Sequence, residues 1–277
     1  MELVFYNGDF IYEKDISISI NNRSFKYGDG FFETIKIVHS KVINFPAHFN
    51  RLQRSLDFLK LNSNYNYKFF EDKLSYLIRK NNVLHGISRI HISRKGEGKY
   101  LPDSNNIDIC ISTSHGKAYK YNSPISLCVY DDDYKALGSL SNLKSANSLI
   151  YILASIYARN NNFDNAILLN SSTCIVEATN ANIFIVKNEK VYTPPLNDGC
   201  VSGIMRNWLF DQIDIIEESI LIDKALEADE IFVSNTIDGL VPVKKIVNTD
   251  FLSFNITNFL QKKLINSSLG PLACLPK

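Results

Sequence analysis

Apolar residues recur first with the spacing of short strands and then with that of amphipathic helices. The Asn7-Gly8 pair separates two apolar runs, which predicts a hairpin with a two-residue turn. Pro46 precedes a stretch with helical apolar spacing, so a helix is expected to begin there. The predicted elements are strands at 4–6, 10–12, 31–38, 42–45, 87–93 and 107–112, a helix with Phe49, Leu52, Leu56 and Leu59 on its apolar face, and a helix with Phe70, Leu74, Leu77 and Ile78 on its own.

The pattern restarts after a polar, lysine-bearing stretch at 114–123 that is typical of a linker. Beyond it the pattern predicts strands at 125–130, 166–169, 183–186 and 231–234, helices at 145–160, 204–212 and 251–265, and a loose tail at 266–277. The expected fold class is α+β. It comprises a smaller N-terminal α+β domain at 1–113, the linker, and a larger C-terminal domain at 124–277.

Composition is that of an ordinary globular protein and excludes some classes of partner. Of the 277 residues, 45% are hydrophobic and 21% charged, and 30 Lys+Arg against 29 Asp+Glu leave a formal charge of +1. This balance predicts neither a nucleic-acid nor a membrane partner. The start MELVFYNGDF lacks the features of a signal peptide, and the five cysteines form no CxxC pair. We therefore expect reduced thiols, no metal site and a cytoplasmic location.

Seven ordered segments carry the candidate chemistry. They are YGDGFFET (27–34), HFNRL (48–52), LKSAN (143–147), EATNANIF (177–184), YTPP (192–195), SGIMR (202–206) and EADEIFVSNTIDGLVPV (227–243). Together they resemble the fold-type IV enzymes that depend on pyridoxal 5'-phosphate (PLP), also called class IV aminotransferases. The resemblance implies a two-domain fold of the D-amino-acid aminotransferase-like kind, with PLP as the cofactor and with the PLP-binding part in the larger C-terminal domain.

The resemblance implies that Lys144 carries PLP as a Schiff base. PLP chemistry needs an amine that binds the cofactor and later moves a proton at the substrate carbon, and lysine can do both. An arbitrary lysine is a solvated surface charge. Here Lys144 lies between Leu143 and a predicted helix rich in Leu149, Ile152 and Leu153, a placement that suits a half-buried amine.

Glu177 begins an E-x-T-x-x-N segment, and the resemblance implies that its carboxylate faces the pyridine nitrogen of PLP. For the phosphate, the resemblance implies the guanidinium of Arg51, the backbone N–H groups of Ile204 and Met205 where a helix begins, and the hydroxyl of Thr236. A helix N-terminus presents unsatisfied N–H groups to an anion. Without the resemblance, Glu177 would be interpreted as a turn carboxylate and Arg51 as a solvated helix residue.

The substrate side is less sharply marked. The resemblance implies that Phe32 faces the substrate and that a turn between strands at 28–30 shapes the pocket wall. Arg89, Arg94 and Lys99 are candidates for binding substrate carboxylates. Solvated charges along a strand and a loop are an equally open interpretation of these three residues.

The residues around the candidate pocket favour one reaction within the family. D-amino-acid aminotransferases bind their substrate with an Arg and a His two residues apart, and the matching positions after Arg94 are Gly98 and Tyr100. Branched-chain aminotransferases usually have Thr third in the phosphate motif, which is GIMR here. The segment ISRKGEGKY (92–100), the GIMR motif and the compact length most resemble 4-amino-4-deoxychorismate lyases. Those enzymes form 4-aminobenzoate and pyruvate on the route to folate.

Three hypotheses stay open at this point. The first is the lyase. The second is an aminotransferase that uses branched-chain or other small amino acids with 2-oxoglutarate. The third is a PLP-fold binding protein without catalysis, against which the presence of both Lys144 and Glu177 argues. The partners implied are a small amine or amino-acid substrate and a second copy of the chain in a homodimer.

Overall fold

The computed structural model describes residues 2–269 of the chain. Internal contacts divide the chain into two compact units. Unit 1 comprises Met1–Tyr119, Lys144–Asn147 and Asn266–Lys277, and unit 2 comprises Lys120–Leu143 and Ser148–Ile265. The short Lys144–Asn147 segment therefore belongs to unit 1, although the chain on either side of it belongs to unit 2. The division at 113 and 124 stays a prediction.

Unit 1 is built on a six-stranded sheet in which neighbouring strands are antiparallel. Its strands are β1 (Leu3–Tyr6), β2 (Asp9–Tyr12), β3 (Gly30–Val38), β4 (Lys41–Val42), β5 (Gly86–Arg94) and β6 (Ile107–His115), in the order β2-β1-β6-β5-β3-β4. Its helices are α1 (Arg23–Tyr27), α2 (Phe45–Phe58) and α3 (Tyr67–Lys80). The β1–β2 pairing confirms the predicted hairpin at Asn7-Gly8.

The apolar faces of α2 and α3 form the core of unit 1 together with one face of the sheet. Leu52 of α2 and Leu74 of α3 are buried in the same cluster as Ile35 of β3. Because side chains alternate across a strand, the odd-numbered residues of β3 share the helix-covered face with Ile35. Phe32 lies on the other face, half-buried.

Unit 2 contains a nine-stranded mixed sheet. Its strands are β7 (Ile125–Lys135), β8 (Asn165–Asn170), β9 (Ile175–Ala178), β10 (Asn182–Lys187), β11 (Lys190–Thr193), β12 (Ile215–Glu217), β13 (Glu230–Asn235), β14 (Gly239–Ile246) and β15 (Thr249–Asp250), in the order β12-β11-β10-β13-β14-β7-β8-β9 with β15 paired to β14. The helices that follow Lys120 are α4 (Leu149–Asn160), α5 (Ile204–Phe210), α6 (Ile222–Leu226) and α7 (Asn255–Leu269). The architecture is α+β, as the sequence pattern predicted.

Three of the predicted element bounds, two in unit 1 and one at the start of α4, are wrong. The strand predicted at 42–45 ends at Val42, because Phe45 already begins α2. The turn at 28–30 does not connect two strands, because α1 precedes it and Gly28 is the C-cap of that helix. The helix predicted from 145 begins at Leu149, because the backbone before it pairs with β3 instead.

The predictions for the C-terminal half also need correction. The helix expected at 204–212 ends at Phe210, and the one expected at 251–265 runs from Asn255 to Leu269. Residues 266–269 are therefore helical and not a loose tail, whereas 270–277 lie outside the described residues. The elements β9, β11, β12, β14, β15, α1 and α6 are not among the predicted ranges. None of the helices within residues 2–269 combines the length and apolar character that crossing a bilayer requires.

Candidate active site

Lys144 lies in a short extended segment that is hydrogen-bonded to β3. The backbone N–H of Phe32 donates to the carbonyl of Lys144 at 3.1 Å, and the N–H of Ala146 donates to the carbonyl of Gly30 at 2.9 Å. Ser145, between them, forms a bridge with Phe31. This pairing brings Lys144 Nζ to 4.5 Å from the centroid of the Phe32 ring. A strand pairing, which no local pattern predicted, thus positions the candidate cofactor lysine.

The helix expected to shield Lys144 is apolar but exposed. The side chains of Leu149, Ile152 and Leu153 on α4 are 68%, 52% and 48% exposed. Lys144 is half-buried all the same. The half-buried amine expected from the sequence is thus observed, and the pairing with β3 holds its backbone.

Arg89 is the substrate-side candidate that lies beside Lys144 and Phe32. It projects from β5 opposite Thr34 of β3, on the face of the sheet opposite α2 and α3. Its guanidinium carbon is 5.1 Å from the centroid of the Phe32 ring. Cation–π attraction therefore holds both Lys144 and Arg89 near this ring. The guanidinium is exposed.

Of the other two substrate-side candidates, Arg94 is engaged in hydrogen bonds and Lys99 is exposed. Arg94 is buried and donates from Nε to Asp29 at 3.0 Å, from Nη2 to the carbonyl of Leu59 at 2.7 Å, and from Nη1 to Asn105. Lys99 is exposed on the loop after β5. The structure therefore does not bring Arg94 or Lys99 beside Phe32 in the way that it brings Arg89.

Arg51, predicted to bind phosphate, is paired with a buried carboxylate. It lies on α2 and donates from Nε to Glu33 Oε1 and from Nη2 to Glu33 Oε2, both at 2.7 Å. His48, one turn earlier on the same helix, brings Nδ1 to 2.6 Å from Glu33 Oε2. Burial alone would raise the pKa of Glu33, but the charge and hydrogen bonds of Arg51, with those of His48, lower it to about 2.

His48 is a neutral, buried member of this cluster. Burial lowers its pKa, although Glu33 acts in the opposite direction. Its Nε2 is buried and has no hydrogen-bond partner among residues 2–269. Glu33 and His48 were missed from the sequence, but a signal exists. Glu33 is a charge on the core-facing side of an apolar strand, and His48 and Arg51 occur at helical spacing on the apolar side of α2.

Glu177 lies on β9 in the interior of unit 2. Tyr151 donates its hydroxyl to Glu177 Oε1 at 2.9 Å, the backbone N–H of Val201 donates to Oε2 at 3.0 Å, and Lys135 Nζ contacts Oε1. Since all three partners are donors, both side-chain oxygens of Glu177 act as acceptors. The buried carboxylate expected to face the pyridine nitrogen is present and held in one orientation.

The groups around Glu177 are neutral or paired. Burial, and then the charge of Glu177, raises the pKa of Tyr151, so that its hydroxyl stays a donor. The same two causes raise the pKa of the Cys200 thiol to about 12. Lys135 and Tyr151 were not predicted as site residues. Lys135 follows three aspartates and a tyrosine in the sequence, a context typical of a solvated charge.

The predicted phosphate-binding segment begins α5. Ile204 and Met205 are its first residues, and no described side chain caps the helix at Gly203. A Cβ on Gly203 would lie 2.0 Å from Asn182 Oδ1, so a larger residue there would displace this side chain of β10. The first N–H groups of the helix are thus left for another acceptor. α5 packs against β13, and the turn after β13 carries Thr236, half-buried.

The chain is similar in sequence and in fold to several known proteins. Residues 30–246 match the family described as amino-transferase class IV. The D-alanine aminotransferase of Staphylococcus epidermidis is 28% identical over 255 residues, which cover 89% of each chain. A structure from Legionella pneumophila, described as a candidate 4-amino-4-deoxychorismate lyase, is 25% identical with a TM-score of 0.86 and covers 92% of this chain and 97% of its own. A branched-chain amino acid aminotransferase from the organism abbreviated T.th., solved with pyridoxamine 5'-phosphate, shares the fold at 18% identity with a TM-score of 0.89, over 96% of this chain and 94% of its own.

Proposed function

We propose that this chain, a PLP-dependent enzyme of the class IV aminotransferase family, is a lyase. Its substrate would be 4-amino-4-deoxychorismate and its products 4-aminobenzoate and pyruvate. The observation that carries the proposal is the conformation of the loop around Gly98, where a D-amino-acid aminotransferase would have its carboxylate-binding arginine.

Gly98 cannot be replaced by arginine without rearranging this loop. Its φ is +89°, and a Cβ there would lie 2.4 Å from the carbonyl oxygen of Leu101. Arg23 Nη1 donates to the three backbone carbonyls at 97–99, which fixes the loop in this shape. Tyr100, at the position of the expected histidine, is 89% exposed. The chain therefore lacks the pair of groups that the resemblance associates with D-amino-acid substrates.

The residues present fit PLP. Lys144 offers the amine, and Glu177 is a buried carboxylate whose Oε2 accepts from a single donor within residues 2–269. The uncapped start of α5 offers N–H groups, and Arg51 offers a guanidinium already oriented by Glu33. In the proposal these groups bind the aldehyde carbon, the ring nitrogen and the phosphate of the cofactor, with Thr236 as a further phosphate donor.

Bound PLP supplies an electron sink next to the substrate amine. Lys144 Nζ takes the proton from the substrate ring carbon that bears nitrogen, and the Phe32 ring restrains its position. Arg89 binds a substrate carboxylate beside it. The bond between the ring carbon and the enolpyruvyl oxygen would break as the ring becomes aromatic, and the leaving enolpyruvate would take up the proton held by Lys144 to become pyruvate. Because atoms and charge balance in this way, the reaction requires no second keto acid.

The alternative is an aminotransferase, and one observation favours it. The curated relative with 28% identity over 89% of the chain is a D-alanine aminotransferase. Branched-chain or other small amino acids with 2-oxoglutarate are the substrates of this second candidate. It needs a cofactor that alternates between aldehyde and amine forms, whereas the lyase does not.

One assay separates the two reactions. The purified holoenzyme is incubated with 4-amino-4-deoxychorismate without any 2-oxo acid, and pyruvate and 4-aminobenzoate are measured, with Lys144→Ala as the inactive control. We expect both products in equal amounts, with the cofactor still an aldehyde. If no pyruvate forms and the enzyme instead transfers the amino group of D-alanine or a branched-chain amino acid to 2-oxoglutarate, the aminotransferase is correct.

We also propose that the enzyme is cytoplasmic and that it forms a homodimer. A step toward folate belongs in the cytoplasm, and the free thiols of Cys110, Cys128, Cys174 and Cys200 suit a reducing compartment. A homodimer would cover apolar surface, and the exposed leucine and isoleucine side chains of α4 supply such a surface.

A further inference from the structure

A buried lysine contacts the carboxylate that is expected to face the ring nitrogen of PLP. The side chain of Lys135 is 6% exposed and that of Glu177 is 4% exposed, with Nζ against Oε1. Lys135 ends β7, beyond a shift in register with β8 that falls between Tyr130 and Lys135. Such irregularities change the direction in which side chains point. Here the buried Lys135 follows a run of exposed aspartates. An ammonium is costly to bury, so its position requires an explanation.

The acceptor positions of Glu177 are nearly filled. A carboxylate has about four lone-pair positions, two on each oxygen. Oε1 accepts from Lys135 Nζ and from the Tyr151 hydroxyl, and Oε2 accepts from the Val201 N–H. Among the described residues this leaves one position, and it is on Oε2. Any further donor, including a protonated ring nitrogen, therefore binds the oxygen that Lys135 does not contact.

We propose that Lys135 is a positioning residue that acts through Glu177 and keeps the shared proton on the cofactor's ring nitrogen. The positive charge of Lys135 touches the carboxylate and lies farther from any group bound at Oε2. Because Coulomb energy falls with distance, its attraction for the negative charge of Glu177 exceeds its repulsion of a positive charge on the ring nitrogen. Without Lys135 the negative charge of Glu177 would be buried without its cation, and the arrangement with a protonated ring nitrogen would be less stable.

The other groups that face this cluster do not replace Lys135. Tyr151 and Cys200 stay neutral because burial and the charge of Glu177 raise the pKa of each side chain. Arg206 of α5 is buried, and its guanidinium pairs with Glu217 of β12. Lys135 is thus the cation in contact with Glu177 among the described side chains. The inference rests on PLP as the cofactor and on Glu177 as its ring partner, and it does not depend on which of the two reactions is catalysed.

The state of the ring nitrogen can be measured directly without any substrate. The apoprotein is loaded with PLP labelled with ¹⁵N in the ring, and the ¹⁵N chemical shift of the holoenzyme is recorded. We expect the wild type to show a protonated nitrogen, Lys135→Met to shift toward the unprotonated value, and Lys135→Arg to return to the wild-type value. Lys187→Met is the matched control, since Lys187 pairs with Asp229 at the surface of the same unit.

Two outcomes overturn the inference and are distinguishable. If Lys135→Met keeps the wild-type shift while Glu177→Gln changes it, Glu177 is the ring partner but Lys135 does not act through it. If neither variant changes the shift, the assignment of Glu177 itself fails.

Turnover gives a second readout, because groups that orient a directly binding residue commonly contribute about 10- to 100-fold in metal sites. We expect Lys135→Met to lower kcat by a comparable factor with little change in KM, and Lys135→Arg to restore it.

A measurement on the apoprotein covers the case in which Lys135→Met folds poorly. That variant leaves Glu177 buried without its cation, whereas Lys135→Met/Glu177→Gln removes both charges. We expect the thermal unfolding midpoint of the double variant to lie above that of Lys135→Met. A double variant no more stable than Lys135→Met would show that the two side chains are not coupled, and the inference would fall.

Discussion

Arg51 and Glu33 form a two-pronged ion pair in the core of unit 1. Both hydrogen bonds are 2.7 Å long, and both side chains are buried. The planar guanidinium matches the two carboxylate oxygens, which is the strongest geometry for such a pair. The orientation of Arg51 is therefore set by a strand residue 18 positions earlier in the chain and not by its own helix alone.

This pair predicts a specific dependence of stability on acid. The pKa of Glu33 is lowered from 4.5 to about 2, so its stabilising contribution is complete above pH 4.5 and is lost as the pH falls toward 2. At about 1.4 kcal/mol per pKa unit, the contribution is roughly 3 kcal/mol. We expect Glu33→Gln to lower the free energy of unfolding of the apoprotein at pH 7 by this order and to flatten its loss between pH 4.5 and 2. Urea unfolding at several pH values measures both effects, and Glu71→Gln, an exposed carboxylate on α3, should change neither.

Lys144 should be the residue that holds PLP covalently. We expect a yellow protein whose visible absorption is lost on borohydride reduction, with the pyridoxyl group recovered on the peptide that contains Lys144. Lys144→Ala should abolish the absorption, whereas Lys99→Ala, at an exposed lysine, should not. Recovery of the adduct on a different lysine would refute the assignment.

Glu177→Gln tests the electrostatic role of the buried carboxylate. The amide keeps nearly the same shape but loses the negative charge that stabilises a protonated ring nitrogen. Removing one such positioned group commonly costs about 2–4 kcal/mol of transition-state stabilisation, so kcat should fall about 30- to 1,000-fold while PLP stays bound. Single-turnover kinetics and the absorption spectrum check the two parts. A variant with wild-type kcat would exclude Glu177 as the ring partner.

Arg89→Met should impair substrate binding more than the chemical step. Arg89 lies over Phe32 next to Lys144, where it can pair with a substrate carboxylate. Loss of a charge-assisted contact of this kind typically costs about 2 kcal/mol or more, which corresponds to a KM at least about tenfold higher. Steady-state kinetics measure KM and kcat separately. Lys99→Met is the matched control, and an equal effect of both variants would contradict a specific role for Arg89.

The exposed face of α4 predicts self-association. Leu149 and Ile152 are apolar and more than half exposed. We expect sedimentation equilibrium to give a homodimer for the wild type, and Leu149→Glu/Ile152→Glu to shift it toward the monomer because charges would enter an apolar contact. Glu substitution at Ser155, exposed on the same helix, provides a control. A fully active wild-type monomer would rule out the dimer.

Local patterns along the chain were sufficient for much of unit 1 and for the family. Apolar spacing identified α2 and α3 because each helix buries one face, and the Asn7-Gly8 pair identified the first hairpin because its turn has a local chemistry. The ordered motifs identified PLP as the cofactor. At 145–148 the apolar pattern wrongly predicted a helix, because the backbone of this segment forms hydrogen bonds with β3 instead.

The meeting of buried charges, in contrast, could be found only in the folded chain. Lys135 contacts Glu177 across 42 positions of the chain, and Glu33 meets Arg51 between a strand and a helix. Periodicity indicates the side on which a residue lies, whereas the pairing of two buried charges depends on strand register and helix packing. For this reason the motifs were enough to predict roles for Lys144 and Glu177, while the contacts of Lys135 and Glu33 were visible only between distant segments of the folded chain.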